Sequence, residues 1–227
     1  MNLQSELQEV FNRASQKFPP DVLNTMLGVT RRLVESGISE KSLKVGDKAP
    51  DFGLPNATGE DVRLDKLLEK GPVVLNFYRG GWCPYCNLEL NAYQKRLPEI
   101  DRLGASLVAI SPQTPDNSLS TAKKNELKFQ VLSDVGNKVA DKFGLVFKLP
   151  TELQELYNKF GIVLPKFNGD ESWELPMPGT YVIDKDGTVS YAFVDADYTK
   201  RAEPDEVIAK LEELSNNLLD DRIANTI

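Results

Sequence analysis

Val73-Val74-Leu75-Asn76-Phe77-Tyr78-Arg79-Gly80-Gly81-Trp82-Cys83-Pro84-Tyr85-Cys86 is the stretch from which the fold is read. Its first six residues are mostly apolar and β-prone, the pattern of a strand buried on both faces. Gly80 and Gly81 then permit a turn. A helix is expected from Pro84, because proline is favoured in the first helical position, where its missing N–H is least needed. The apolar positions Leu90, Tyr93, Leu97 and Ile100 continue that helix, and Pro98 predicts a kink in it. This order sets Cys83 at a helix N-terminus, where unpaired backbone N–H groups and the helix dipole favour the thiolate, the reactive form of cysteine. Cys86 follows one turn later on the same face, close enough for a disulfide with little backbone movement. Cys83 is therefore the expected exposed nucleophile and Cys86 its resolving partner. Arg79 is a candidate source of positive charge beside them, against the plainer reading of a solvated surface residue. Trp82 is as well suited to packing as to docking a partner.

Working outward, further strands and helices alternate. Ala105 to Ile110 reads as a strand, Ser118 to Leu127 as a helix, Phe129 to Leu132 as a strand and Asn137 to Phe143 as a short helix. Thr180 to Ile183 and Thr188 to Val194, joined by Asp184-Lys185-Asp186-Gly187, form a predicted hairpin, and Pro204 to Leu214 a last helix. Such alternation implies βαβ units in an α/β domain. Between them, 145–175 has a weaker pattern, with one helical piece from Thr151 to Phe160, and is expected to be an insertion beside the site. Three regions follow: a helical extension over 1–44, a main domain over 45–215 and a tail over 216–227. The extension is expected to be a helical hairpin that covers one face of the core; a contact for a homodimer is the alternative role. The polar cluster Asp195, Asp197, Tyr198, Thr199 and Arg201 reads as a loop and helix cap.

Composition removes whole classes of chemistry. The 227 residues contain no histidine, which excludes Ser-His and Cys-His nucleophile systems and imidazole-bound zinc. Two cysteines cannot build a disulfide framework, and three apart they point to redox chemistry. A metal site would need ligands from another molecule, so no metal is expected. With 27 Lys and Arg against 34 Asp and Glu the net charge is −7, which repels nucleic acid. No apolar run reaches the roughly 20 residues of a membrane span, and the N-terminus lacks the apolar core of a secretion signal. A cytoplasmic location without membrane contact is the expectation.

Several separate motifs add a resemblance. The VVLNFYRGGWCPYC segment resembles the active-site turn of thioredoxin-fold proteins, with a glutaredoxin-like Pro84-Tyr85 between the cysteines and a thioredoxin-like Trp82 before them. GDKAPDFGLPNATGEDVRL (46–64), ISPQTPDNSL (110–119) and PGTYVIDKDGTVSYAFVDADYTKRAEP (178–204) together resemble the peroxiredoxin-like branch of the alkyl hydroperoxide reductase and thiol-specific antioxidant family. The resemblance implies a thioredoxin-like fold, a central mixed sheet flanked by helices. It implies a peroxidase cycle on hydrogen peroxide or organic hydroperoxides, with a Cys83 sulfenic acid, a Cys83–Cys86 disulfide and recycling by thioredoxin, glutaredoxin or a similar external dithiol. No bound cofactor is implied. Disulfide exchange with protein or glutathione disulfides is the alternative activity. Where the family carries Pro and a hydroxyl residue, seven and three positions before the peroxidatic cysteine, this chain has Asn76 and Gly80. Where the family carries an arginine before the late strand it has Pro178, the place of a cis-proline in thioredoxin-like reductases. A cis Met177–Pro178 bond beside the cysteines is therefore expected, with Gly81, Trp82, Pro84 and Met177 lining the substrate site. Arg79 or Arg201 is left to replace the family guanidinium.

Overall fold

The computed structural model describes residues 2–224, with side chains through Asn217. Two amphipathic helices lead, α1 (Leu3–Lys17) and α2 (Pro20–Glu35), followed by a 3-10 turn at Ile38–Lys41. A short ribbon, β1 (Gly53–Pro55) with β2 (Asp61–Arg63), and α3 (Leu64–Leu68) precede the central strand β3 (Val73–Phe77). Then come α4 (Pro84–Arg102), β4 (Ser106–Ser111), α5 (Pro115–Lys124), β5 (Gln130–Ser133) and α6 (Lys138–Lys142). The inserted region contributes β6 (Val146–Lys148), α7 (Thr151–Lys159), α8 (Leu164–Asn168) and β7 (Glu174–Pro176). The chain closes with β8 (Gly179–Ile183), β9 (Val189–Val194) and α9 (Pro204–Ala224), so helix continues well past Leu214 into the segment expected to be a tail.

The main sheet has the order β5-β4-β3-β8-β9, with β3, β4 and β5 parallel and β8 and β9 antiparallel to their neighbours. It is the mixed sheet expected of the fold. All five residues of β3 are buried, and alternation divides them between two cores. Val73, Leu75 and Phe77 join Phe143 and Tyr181 on one face, whereas Val74 joins Tyr93, Ile100 and Leu211 on the other. Because β3 is central and buried on both sides, the turn that follows it is held rigidly at the C-terminal end of the parallel strands, the usual place for a site in open α/β sheets. Helix α4 runs unbroken through Pro98.

The N-terminal helices lie on the chain's own site-bearing side. Helix α1 packs on α4, and α2 on α7. Leu3 and Leu7 share an apolar cluster with Cys83, Cys86 and Leu90. No described helix is long and apolar enough to cross a membrane.

Candidate active site

The turn between β3 and α4 is built by close approach. Gly80 has φ +153°, and a Cβ there would lie 2.3 Å from the Trp82 indole nitrogen; a Cβ on Gly81 would meet the Thr121 hydroxyl at 2.3 Å. Both positions thus need glycine for space. The Gly81 N–H donates to the Gln113 side-chain oxygen at 2.8 Å, and the Gly81 carbonyl accepts from Asn87 at 2.9 Å. Cys83, so fixed, is the N-cap residue of α4 with Pro84 next, as the sequence pattern predicts.

Cys83 is not exposed. It and Cys86 are 2% and 0% accessible free thiols, because the N-terminal helices lie over the turn. Sequence pattern gives an amphipathic hairpin but not the surface it covers. Burial alone raises a thiol pKa; for Cys83 the hydrogen bond from Cys86 and the charges of Arg79 and Arg201 outweigh it and bring the value down from 9.0 to about 6. Cys86 goes the other way, raised by burial and by the adjacent Cys83 sulfur. The pair is polarised into a thiolate at Cys83 and a thiol at Cys86, so the order nucleophile then resolver follows from electrostatics.

Arg79 is buried, at 3% exposure, so the solvated surface reading fails. Its guanidinium lies 4.4 Å from the Tyr198 ring centroid and 5.2 Å from that of Trp82, and it hydrogen-bonds the Tyr157 hydroxyl. Its Nε has no hydrogen-bond partner, and neither has the Trp82 indole nitrogen. Two buried donors on residues that line one cavity with Cys83 are thus unengaged, a setting ready for oxygen ligands.

Arg201 meets the pair at Cys86. Its Nε donates to Glu89 Oε2 at 2.7 Å and its Nη2 reaches Cys86 Sγ at 3.5 Å. Glu89 also accepts from Asn76 Nδ2 at 2.9 Å, and the Thr180 hydroxyl lies 3.1 Å from that same nitrogen. Burial, only partly offset by Arg201, pushes Glu89 up to about 7. The cluster expected to be a loop and helix cap therefore contributes two site residues, Arg201 and Tyr198. Asn76, at the family's proline position, serves as the second ligand of a buried carboxylate.

A family model described as the AhpC/TSA family matches residues 45–192. The chain belongs to the AhpC/TSA family. Among its relatives, the chloroplastic peroxiredoxin Q of Triticum aestivum is 31% identical over 188 residues, covering 83% of this chain and 74% of that protein. The thiol-disulfide oxidoreductase ResA of Bacillus cereus is 29% identical over 136 residues, 60% of this chain and 76% of that one. Among solved structures, peroxidoxin BcpB from Mycobacterium tuberculosis superposes with a TM-score of 0.60 at 28% identity, covering 75% of this chain and 97% of its own.

Within this AhpC/TSA protein the candidate residues divide. Cys83, Cys86, Arg79 and Trp82 come together, with Pro84 at the rim and Gly81 in the turn beneath. Met177 does not join them: it is fully buried in the core with Phe77 and Tyr181. Pro178 borders a smaller cavity on the far side of Arg79, together with Tyr157 and Tyr198. The Met177–Pro178 bond is trans, contrary to expectation; no described peptide bond is cis. Extended pairing resumes on both sides of it, through the Met177 N–H to Leu145 and the pairing of Gly179 with Phe77 and Val194, so no tight turn favours the cis form. Sequence reasoning missed Glu89 and Tyr157. Glu89 had a visible signal, an acid at i+3 from Cys86 and i−4 from Tyr93 on the buried face of the helix. Tyr157 had none, since it lies in the apolar stripe of α7.

Proposed function

We propose that this AhpC/TSA protein is a thiol peroxidase in which Cys83 attacks the peroxide and Cys86 resolves the product. The observation that carries the reading is the Cys83 thiolate, favoured down to about 6 and set beside the unengaged Nε of Arg79. The thiolate sulfur attacks the terminal oxygen of R–O–O–H; an S–O bond forms and the O–O bond breaks. The departing RO⁻ takes a proton and leaves as an alcohol, or as water when the substrate is hydrogen peroxide. Sulfur is oxidised to the sulfenic acid while the peroxide is reduced by two electrons. The neighbouring Cys86 thiol then attacks the sulfenic sulfur, water leaves, and a Cys83–Cys86 disulfide remains. An external dithiol such as thioredoxin or a glutaredoxin-like protein reduces that disulfide by exchange and becomes oxidised itself. Arg79 supplies positive charge where negative charge develops on the oxygens. The peroxide step and its resolution use Cys83, Cys86 and Arg79, and the reducing equivalents come from the external dithiol.

A CxxC pair also suits disulfide exchange, the activity in the name of the Bacillus relative. The unengaged Nε of Arg79 near Cys83 favours a peroxide over a disulfide, because a developing oxyanion can use that donor and a disulfide sulfur gains little from it. The deciding experiment follows Trp fluorescence in a stopped flow as the reduced protein meets hydrogen peroxide near pH 7, Trp82 being next to Cys83. A second-order rate on the order of 10²-fold or more above that of a simple thiol is expected, the scale of one well-placed oxyanion donor. It should vanish in Cys83→Ser, whereas Cys86→Ser should give one sulfenic acid per chain and stop. A wild-type rate no faster than a free thiol would overturn the assignment in favour of disulfide exchange.

A further inference from the structure

Beside Cys83 lies a cavity of about 140 Å³. Its roof is the N-terminal hairpin, through Phe11 and Phe18 among others, and its walls include Trp82 and Phe160, with the Cys83 side chain at one end. Among the described residues that line it, Arg79 is the only Lys, Arg, Asp or Glu. The roof comes from residues outside the 45–192 stretch matched by the family model, so it is an addition to the shared site.

Hydrogen peroxide has no use for such a space: it is small, polar, and gains nothing from apolar walls. Apolar cavities of about 150 Å³ elsewhere admit a benzene ring. The dimensions here therefore match one aromatic ring or a compact branched alkyl group. A hydroperoxide with such a group could place its carbon part between Phe11, Phe18 and Phe160, while its O–O end reaches the thiolate and the free Nε of Arg79.

Resting on the peroxidase reading, we infer that the N-terminal hairpin builds a tail-binding subsite that makes the preferred substrate a compact, uncharged aryl or tertiary-alkyl hydroperoxide. The chemistry is the same two-electron step: the sulfur takes the terminal oxygen, the O–O bond breaks, and the tertiary alkoxide takes a proton from water and departs as the alcohol. Apolar walls stabilise the carbon part in ground and transition states alike, so the preference belongs in kcat/KM.

The test compares second-order rates of sulfenic acid formation with cumene hydroperoxide and with hydrogen peroxide in the reduced protein. A ratio of ten or more in favour of cumene hydroperoxide is expected. In Ala14→Phe, which fills the cavity from α1, that ratio should fall at least ten-fold. Independently of turnover, the alcohol product 2-phenylpropan-2-ol should quench or shift Trp fluorescence of Cys83→Ser saturably, and not that of the double variant with Ala14→Phe. A rapid reaction with hydrogen peroxide and a ratio near one, or saturable binding of the alcohol unaltered by the filled cavity, overturns the subsite and leaves the peroxidase standing. No reaction with either peroxide overturns the peroxidase reading instead. If Ala14→Phe does not fold, the wild-type ratio and the binding of the alcohol to Cys83→Ser decide: a ratio near one or no saturable binding counts against the subsite.

Discussion

Arg79 and Arg201 are both almost completely buried and both influence the same two sulfurs, yet they are held in opposite ways. Arg201 forms a 2.7 Å ion pair with Glu89 and adds bonds to the carbonyls of Tyr198 and Lys200. Arg79 has no carboxylate partner among the described residues; aromatic faces and one phenol hydroxyl surround it. The charge of Arg201 is paired with a carboxylate, so this arginine locks α4 to the segment before α9 while still favouring the Cys83 thiolate. The field of Arg79 is not cancelled, and the anion that best compensates it is the Cys83 thiolate. One side of the CxxC pair is thus a closed ionic lock and the other an apolar chamber with a free charge. Aromatic rings hold a guanidinium without neutralising it, which a carboxylate cannot do.

The largest effect that distinguishes the two sides is expected from Arg79→Met. Losing the uncancelled charge should lower the rate with hydrogen peroxide near pH 7 by about 10² to 10³, the range for loss of one preorganised donor. The midpoint of the rate–pH profile, near 6 in the wild type, should move upward toward the ordinary thiol value of 9.0. Stopped-flow rates between pH 5 and 9 measure both. A profile that stays at 6 would assign the depressed thiol pKa to the hydrogen bonds from Cys86 and the charge of Arg201.

Next in size is a change in pH dependence of stability from Glu89→Gln. Glu89 holds its proton more tightly folded than unfolded, at about 7 against 4.5. Its contribution is therefore complete below pH 4.5 and is lost as the pH rises through 7. Cys83 has the opposite sign: its folded value of about 6 lies below 9.0, so its contribution is complete above pH 9 and is lost as the pH falls through 6. The Glu89→Gln variant should gain stability relative to the wild type between pH 5 and 8, by about 3 kcal/mol at ~1.4 kcal/mol per pKa unit. Urea unfolding of the reduced proteins at the two pH values provides the comparison. A constant difference would mean that the Arg201 charge fully offsets the burial of Glu89.

The two sides also differ in how well sequence revealed them. The strand, the turn, the position of Cys83 at a helix start and the partnership with Cys86 were all legible, because apolar runs, glycine pairs and an N-terminal proline are local signals. The Arg79 charge was visible but its burial was not, since that depends on Tyr157 and Tyr198, which lie far along the chain. The amphipathic stripes of α1 and α2 announced a buried face without naming its partner, and the mistaken exposure of Cys83 follows from that. Analogy of position points Met177 and Pro178 to the site, but the path of β7 into β8 buries Met177 in the core and keeps the Met177–Pro178 peptide trans. Glu89 was within reach of sequence reasoning: a carboxylate amid the apolar stripe of a buried helix demands a cationic partner, and Arg201 was available.

The smallest expected effect tests whether the locked side is structural only. Thr180 donates no charge and does not touch either sulfur; its hydroxyl supports Asn76 at 3.1 Å and lies 3.4 Å from Glu89. In Thr180→Val one Asn76 amide N–H keeps its 2.9 Å bond to Glu89, while the other loses its acceptor and the 3.4 Å donation from the Thr180 hydroxyl to Glu89 goes as well. The loss should be about 2 kcal/mol in urea unfolding, within the range for a buried donor left without its acceptor. The hydrogen peroxide rate should stay within two-fold and its pH midpoint should not move, because the Arg79 side is unaltered. If the midpoint shifts with this variant, the carboxylate network reaches Cys83 through Arg201 and Cys86, and the lock takes part in setting the thiolate as well as in holding the fold.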